Sequence, residues 1–597
     1  MEDLHSLTAI YEKHRVAAIG YLQAHYGAML IESENKAKYP ASLMLNLNVT
    51  ELVVSLIINI PFNFPDAFPQ VKLDEQSFKK VFPIPHLDIT KTLCLFDDVV
   101  ASPNPQTPIG LLEAVLERSL DVLSKGINNQ NVDEYIEEFD SYWLQESNGD
   151  MFLSLVEPSE RIKKIYFLPS VLKLQNSCGI LADKKNEAIK WIQNLGGKYD
   201  EEGIIEALYV PLKKPMIFPF PKTNKEIYRV LKENELPNLK EYFAYLKKEE
   251  RPSKVLFSIE CEGIYTWGIW EHIEPYKWNT FTYKGRKKRQ RNLKGFRHKT
   301  RNGLLEIIRD FPDQKINKYY VEDVRASRLK ARGGDEDLKN HDMKVAVIGC
   351  GAVGSHLIQG LFDIGIQHML LLDYDTLKFE NINRHICGAS DVGSKKTEAI
   401  KNKLRRHHPT SQIHVCSNDI MSFLTLYPEG LNSYDLIISA ISNSPIEQRI
   451  NELQLKGIIT PPVLNVWVEP YMAAGHALWI ESNAGVNVST LFKKGKYKYQ
   501  VLKNGSEYTK KELGCSTSYV PYGALELKKF TTDVLLLICH QWEKDKQGSI
   551  AFTWLGNLTE QRKNKRYLEP RWVGATDFST RSKYIEAFKE SEENNDI

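Results

Sequence analysis

Hydrophobic and polar positions are spaced differently in three stretches of the chain. In residues 1–150 a helical pattern comes first, and apolar residues then alternate between positions 41 and 60, as in paired strands. Prolines in IPFNFPDAFPQVKL interrupt the strand pattern, and IGLLEAVLERSLDVLSKG, after Thr107, returns to helical spacing. We therefore expect a compact α+β domain over residues 1–150.

Residues 151–325 combine strand-like runs with proline-rich turns, which predicts a mixed α+β linker domain without a catalytic constellation. Its most unusual segment is 284–301, where KGRKKRQRNLKGFRHKTR holds ten lysines and arginines and no acidic residue. A solvated hairpin or loop is one interpretation of this segment. A docking surface for an acidic protein or for nucleic acid is the other.

Alternating strand and helix patterns begin near Val321 and characterise residues 326–597. The runs MKVAVIG, HMLLLD, DLIISA and PVLNVW are compact and apolar, as expected of strands buried on both faces of a parallel sheet. The C-terminal region is therefore predicted to be a doubly wound, Rossmann-like domain, which makes the whole chain α/β.

The composition, with 42% hydrophobic and 26% charged residues in 597, is that of an ordinary soluble protein. A net charge of only +2 gives no argument for a nucleic-acid or membrane partner. Eight scattered cysteines without a CxxC pair argue against a zinc ribbon or a disulfide framework. Since no apolar run is long enough to span a membrane, we expect a cytoplasmic protein with reduced thiols.

Three glycines in VIGCGAVGSH stand between a strand pattern and a helical one, which is the context of a phosphate-binding turn. They are Gly349, Gly351 and Gly354, and Asp373 follows the last of them by 19 positions. This pattern alone fits NAD binding as well as ATP binding.

The continuation, DYDTLKFENINRHICGASDVGSKKTEA, separates the two interpretations, because it has no role in a dehydrogenase. Its pattern DxDxxxxxNxxR followed by DVGxxK closely resembles the ThiF-type adenylation domain of ubiquitin-activating enzymes and of the bacterial thiamine and molybdopterin adenylyltransferases. The resemblance implies ATP and Mg²⁺ as cofactors.

Adenylation brings a carboxylate to an α-phosphate, so cations must offset the repulsion between two anions. Arg384 and Lys396 can neutralise phosphate charge, and Asn381 can hydrogen-bond a phosphate oxygen. Asp373 can accept hydrogen bonds from the ribose hydroxyls, while Asp375 is the candidate ligand of Mg²⁺.

Two positions depart from the family pattern or leave a choice open. Where relatives usually have a magnesium-linked Asp followed by Asn, this chain has Ser442 and Asn443, so which residue replaces that Asp stays open. The family also supplies an arginine from the neighbouring subunit, and the candidates here are Arg325, Arg328 and Arg332.

Cys515 lies in KELGCSTSYVPYGALELKKF, a small-residue and proline segment that leads into an apolar helix. The segment resembles the loop that carries the thioester-forming cysteine of activating enzymes. An exposed structural thiol is the alternative.

Cys94 is the second candidate nucleophile. The order of helix, strands, proline-rich segment, His86 and Cys94 resembles ubiquitin-conjugating enzymes, whose acceptor cysteine falls at this place. The usual His-Pro-Asn is His86-Leu87-Asp88 here, so Asp88 either organises the loop or attracts the incoming ammonium. His86 is either structural or a proton-transfer group, and Cys94 could also be a buried thiol.

A conjugating-like domain, a linker and an activating-like domain in one chain resemble the fusion proteins of type II CBASS antiphage systems. The resemblance implies that the chain activates the C-terminus of a cGAS/DncV-like nucleotidyltransferase (CD-NTase), carries it on Cys515 and then Cys94, and delivers it to a lysine or another amine. It also implies a homodimer. The alternatives are a sulfur-carrier adenylyltransferase with an inert conjugating-like module, an NAD-dependent oxidoreductase and a noncatalytic ubiquitin-binding scaffold.

Overall fold

A computed structural model describes residues 2–96, 100–171, 177–248, 253–261, 263–273, 280–283, 286–289, 311–331, 343–493, 495–511, 518–543 and 548–586. The chain divides into two compact units. The first comprises Met1–Ala188 and Tyr199–Asp323, and the second comprises Ile189–Lys198 and Val324–Ile597. No helix in the described ranges has the length and apolar character needed to cross a membrane.

The first unit begins with a four-stranded antiparallel sheet in the order β1-β2-β3-β4. Helices α1 and α3 pack on it around an aliphatic core that includes Leu22, Leu43 and Val115. Burial alternates along residues 43–49 of β2 and 54–58 of β3, as the sequence pattern predicts, whereas residues 41–43 and 58–60 are buried in succession. The elements are α1 (Glu2–Tyr26), β1 (Met29–Ile31), β2 (Ala41–Val49), β3 (Leu52–Ile60), β4 (Gln70–Leu73), α2 (Glu75–Val81) and α3 (Pro108–Ile127).

A second, mixed sheet in the same unit has the order β7-β5-β14-β11-β10-β9-β6-β8, and a further pairing of β6 with β7 closes it on itself. Its strands are β5 (Met151–Ser154), β6 (Lys163–Val171), β7 (Ser177–Ala182), β8 (Lys198–Tyr199), β9 (Ile205–Leu212), β10 (Ser253–Cys261), β11 (Ile264–His272) and β14 (Ile316–Asp323). The helices between them are α6 (Lys185–Asn194), α7 (Asn224–Glu233) and α8 (Leu239–Lys248), and α6 continues past Ala188, where the segment Ile189–Lys198 of the second unit begins. Between β11 and β14, β12 (Thr280–Tyr283) pairs with β13 (Arg286–Arg289) as a hairpin. The rest of the basic segment 284–301 lies outside the described residues.

Two short helices, α4 (Glu134–Glu137) and α5 (Phe139–Gln145), follow α3. Their aromatic side chains join the core of the second sheet, where Phe139 and Trp143 are buried with Phe257. The Trp143 indole also donates to the Tyr319 carbonyl at 2.9 Å. The last residues of the predicted 1–150 domain therefore pack against the second sheet, and the three-domain division stays a prediction.

The second unit is built on an eight-stranded sheet with the order β17-β16-β15-β18-β19-β20-β25-β26. The first five strands are parallel, and the four predicted apolar runs form β15, β16, β18 and β19. The last three strands pair antiparallel. The strands are β15 (Lys344–Ile348), β16 (His368–Leu372), β17 (Gln412–Cys416), β18 (Leu436–Ser439), β19 (Val463–Val468), β20 (Ala474–Ile480), β25 (Ile550–Leu555) and β26 (Thr580–Tyr584).

Successive residues of β15 point to opposite faces of this sheet, so each face receives its own core. Val345 and Val347 pack with Leu357 on one side, whereas Ala346 and Ile348 belong to the core on the other. The helices are α9 (Ala326–Ala331), α10 (Ala352–Asp363), α11 (Lys396–His407), α12 (Ile420–Leu426), α13 (Ser444–Leu455), α14 (Ala524–Trp542) and α15 (Leu558–Lys563). Short pairs are β21 (Phe492–Lys493) with β22 (Lys496–Tyr497), and β23 (Lys510–Lys511) with β24 (Ser518–Tyr519). The architecture is a Rossmann-like α/β fold.

Candidate functional site

The predicted phosphate turn joins the end of β15 to the start of α10. Gly349 has φ +93°, a left-handed conformation that disfavours a side chain. A Cβ on Gly354 would lie 1.9 Å from the Gly349 carbonyl oxygen, whereas a Cβ on Gly351 would meet no atom within 4 Å. The turn therefore requires glycine at 349 and 354, and it leaves open space at 351, beside the first amides of α10.

Asp373 follows β16 and fastens this turn. One carboxylate oxygen accepts the Cys350 N–H at 2.7 Å, and the other accepts the Asp375 N–H at 2.8 Å. Each oxygen keeps a further lone pair. The predicted contact with ribose hydroxyls is thus compatible with a structural role that the sequence pattern did not reveal.

His385 holds the same turn from the other side, and the sequence analysis missed it. The Cys387 N–H donates to His385 Nδ1 at 3.0 Å, so Nε2 carries the proton and donates to the Cys350 carbonyl at 2.9 Å. Burial lowers the pKa of His385, which keeps the ring neutral. Its position directly after Arg384 in the matched pattern was the available signal.

Lys396 and Asp375 form an ion pair near the turn. Lys396 is the first residue of α11, and its Nζ lies 2.7 Å from Asp375 Oδ2. The lysine side chain is 11% exposed and the aspartate side chain is 48% exposed. A cation held at a fixed place beside a glycine turn can offset phosphate charge, and the carboxylate offers the hard oxygen that Mg²⁺ prefers.

Asn381 and Arg384 come from the loop between β16 and α11. Asn381 Oδ1 accepts the Lys378 N–H at 3.0 Å. Arg384 donates from Nη1 to the Val520 carbonyl at 3.2 Å, and its guanidinium carbon lies 4.7 Å from the centre of the Tyr522 ring. Arg384 therefore ties the nucleotide-site loop to the segment that follows Cys515.

Cys515 itself and Arg332 lie outside the described residues. The helix that follows this segment begins at Ala524, nine residues after Cys515 in the sequence. Ser442 has φ +51°, and the next residue, Asn443, caps α13 through its side chain. The sequence has no aspartate at 442 or 443, and Asp375 stays the predicted magnesium ligand.

Arg325 directly precedes α9 and is buried. Arg328 lies on α9 and is half-buried. The choice among the three arginines stays open.

Cys94 is exposed and lies at the end of the loop whose sequence resembles ubiquitin-conjugating enzymes. Asp88 closes that loop: its Oδ1 accepts from Thr90 Oγ1 at 2.7 Å and from the Thr92 N–H at 2.9 Å, and its N–H donates to the Thr92 carbonyl. The Cys94 N–H then donates to the His86 carbonyl at 2.8 Å. In the structure, Asp88 organises the loop, one of the two roles considered for it.

The His86 ring lies between two carboxylates from the segment after α3. Nε2 is 2.8 Å from Glu134 Oε2, and Nδ1 is 2.8 Å from Glu138 Oε1. The backbone N–H of His86 donates to the Tyr142 hydroxyl at 2.7 Å. Hydrogen bonding to Cys94 and then to Glu138 raises the pKa of His86 to about 10, against the opposing effect of burial.

Residues 324–512 match the model described as the ThiF family, and residues 21–152 match the one described as Prokaryotic E2 family B. The chain is a fusion of an E2-like region with a ThiF-like region. Cys94 and its loop lie within the E2-like match, and the glycine turn and Lys396 lie within the ThiF-like match. Cys515 lies three residues beyond the end of that match.

Among relatives, the "ATP-dependent ubiquitin transferase-like protein Cap2" of Pseudomonas aeruginosa (strain BWHPSA011 / Pa011) is 31% identical over 22% of this chain and 24% of that protein. The "Ubiquitin-like modifier-activating enzyme 5" of Caenorhabditis briggsae is 28% identical over 29% of this chain and 40% of that protein. The matched parts thus span less than half the length of these relatives.

A solved structure, E. coli MccB with AMPCPP and MccA, aligns at 16% identity over 43% of this chain and 69% of that one. Its TM-score is 0.29, which supports no inference.

Proposed function

We propose that the protein is an ATP-dependent ubiquitin-like transferase that activates the C-terminal carboxylate of a partner protein and joins it to an amine. The observation that carries this proposal is the presence, in one chain, of a glycine turn with the Lys396–Asp375 ion pair and of an exposed Cys94 in an E2-like loop. An adenylation site alone would need no second nucleophile.

In the first step, an oxygen of the partner's carboxylate attacks the α-phosphorus of ATP, a new P–O bond forms, and pyrophosphate leaves. The amides at the start of α10 and the Lys396 ammonium stabilise the phosphate charge that develops. Asp373 accepts from the ribose, and Asn381 and Arg384 bind phosphate oxygens. Asp375 would hold Mg²⁺, which supplies further neutralisation of phosphate charge when bound.

Two sulfur intermediates follow. The Cys515 thiolate attacks the acyl carbon and releases AMP, and the Cys94 thiolate then attacks the same carbon and releases Cys515. Finally, an amine attacks the Cys94 thioester, a C–N bond forms, the C–S bond breaks, and the amine proton passes to solvent. The acceptor is a lysine ε-amine or another amine.

The partner we propose is the C-terminus of a cGAS/DncV-like nucleotidyltransferase (CD-NTase) of a type II CBASS antiphage system, and the enzyme would act as a homodimer. Resemblance to the CBASS fusion proteins supports both assignments. Similarity to proteins named "ATP-dependent ubiquitin transferase-like protein Cap2" supports the transferase chemistry. The sulfur-carrier adenylyltransferase is the competing interpretation, and it differs in giving Cys94 no role.

Partner-dependent ATP–pyrophosphate exchange tests the adenylation step. Lys396→Met keeps the aliphatic stem and removes the charge, so exchange should fall by about 10²-fold or more. Lys401→Met is the matched control, because Lys401 lies further along α11 and pairs with Glu398 instead. Equal rates of ATP–pyrophosphate exchange in Lys396→Met and the wild type would refute the assignment of this nucleotide site.

A further inference from the structure

The cysteine of the E2-like loop lies in a cluster of three chemically different groups. One ring nitrogen of His86, the Cys94 sulfur and a carboxylate oxygen of Glu138 all lie within 4.8 Å of one another. The histidine side chain is 17% exposed, so it is largely shielded from water. Cys94 itself is exposed and open to an incoming acyl group.

Both nitrogens of His86 face oxygens that can only accept hydrogen bonds when ionised. Glu134 takes one ring N–H and Glu138 takes the other, each at 2.8 Å. A neutral imidazole has one N–H, so this arrangement fits the imidazolium form. The pKa of about 10 agrees with it.

The carboxylates are themselves held in place. The Asn131 side chain donates to Glu134 Oε2 at 2.7 Å. Burial acts to raise the pKa of Glu138, but hydrogen bonding and charge from His86 lower it overall. The Tyr142 hydroxyl accepts a hydrogen bond from the backbone N–H of His86. Burial raises the pKa of Tyr142, so this hydroxyl is neutral. Among the residues that the structure describes, the titratable groups beside the ring are therefore Glu134, Glu138, Cys94 and Tyr142.

We propose that His86 is a fixed cation that stabilises negative charge on the Cys94 sulfur, and that Glu138 positions it. This inference rests on the proposed function. A ring that carries both protons cannot accept another, so it is not a general base. It remains charged while the Cys94 thiolate attacks the Cys515 thioester and again while Cys94 leaves upon aminolysis. The positive ring, one nitrogen of which lies within 4.8 Å of the sulfur, stabilises the charged sulfur in both steps by electrostatic attraction.

The test is the rate at which Cys94 is alkylated by iodoacetamide in the full chain, followed by peptide mass spectrometry in EDTA between pH 6 and 9. His86→Asn removes the cation but suits the left-handed backbone at φ +62°. Alkylation at pH 7 should fall about tenfold or more, the size expected when an opposite charge about 4–6 Å from an ionisable group is removed. The difference should narrow towards pH 9, where ordinary thiols near pKa 8.5 ionise unaided.

Glu138→Gln should give a smaller loss in the same direction, and Glu138→Asp should restore part of it. Glu137→Gln is the matched control, because Glu137 is exposed on α4 beside the two carboxylates. It should leave the rate unchanged. Thermal unfolding identifies any variant that fails to fold. If His86→Asn fails to fold, the comparison of Glu138→Gln with Glu138→Asp still decides the question.

Equal alkylation rates in the wild type, His86→Asn and Glu138→Gln across this pH range would overturn the inference. Alkylation needs neither ATP nor a partner protein, so that result would leave the proposed transferase intact. Conversely, conjugation that continues without Cys94 would refute the transferase relay and leave the cation–thiolate pair standing.

Discussion

Replacing Gly354 with alanine tests the glycine turn most sharply, because the obstacle is backbone. The added Cβ would lie 1.9 Å from the Gly349 carbonyl oxygen and 3.0 Å from the Gly349 carbonyl carbon. Carbon–oxygen contacts in proteins rarely fall below about 3.3 Å, so the two atoms must separate by roughly 1.4 Å. No flexible side chain can absorb that movement.

Two magnitudes follow from this displacement. Overpacking of this kind costs about 1–3 kcal/mol, offset by up to about 1 kcal/mol for the better helix propensity of alanine. The melting temperature should fall by about 2–4 °C for each kcal/mol that remains. A shift of about 1 Å in a reacting group can cost about 10²-fold in rate, so exchange should fall at least that much.

The assay compares thermal unfolding and ATP–pyrophosphate exchange in Gly354→Ala and Gly351→Ala. A Cβ at Gly351 meets nothing within 4 Å, so this control should melt like the wild type. Its exchange should nevertheless fall, because the methyl group enters the space where phosphate is expected. If Gly354→Ala melts and exchanges like the wild type, the turn does not have this geometry.

Three further outcomes are expected. Burial raises the pKa of Glu447 from 4.5 to about 7, so the folded protein retains a proton and loses stability as pH rises through that window; Glu447→Gln should raise the melting temperature at pH 8 and change it little at pH 5. Asp88→Asn keeps an accepting oxygen and should conjugate normally, whereas a marked loss would favour the ammonium-attracting role. Deleting the partner's terminal residue, or replacing it with a bulky one, should abolish conjugation, measured by mass spectrometry, because a side chain there displaces the carboxylate. Unchanged conjugation would point to another substrate.

The sequence predicted the parts of the second unit that depend on local pattern. Apolar runs identified β15, β16, β18 and β19, and the glycine spacing located the turn before α10. The role of Asp373 was only partly predictable, since its bonds to the Cys350 and Asp375 amides depend on how β16 meets the turn. No residue pattern specifies such backbone contacts.

The surroundings of Cys94 were less predictable, for a different reason. Glu134 and Glu138 are about 50 residues from His86 in sequence, and only the fold brings them to its ring. In the sequence nothing distinguishes them from the other acidic residues of this helical stretch. The aromatic residues of the same stretch pack against the second sheet, and this packing fixes where the two glutamates lie. The left-handed backbone of His86 also has no distinctive local signal.

The order of the two cysteines tests the central claim most directly. The purified chain is incubated with ATP and the partner synthase, and thioester and amide products are resolved by mass spectrometry with and without reductant. Cys515→Ala should support exchange but form no thioester. Cys94→Ala should retain a reducible adduct on Cys515 and form no amide, while Cys416→Ala, outside the proposed relay, should change neither. Conjugation by Cys94→Ala at the wild-type rate would contradict the account and favour a sulfur-carrier adenylyltransferase.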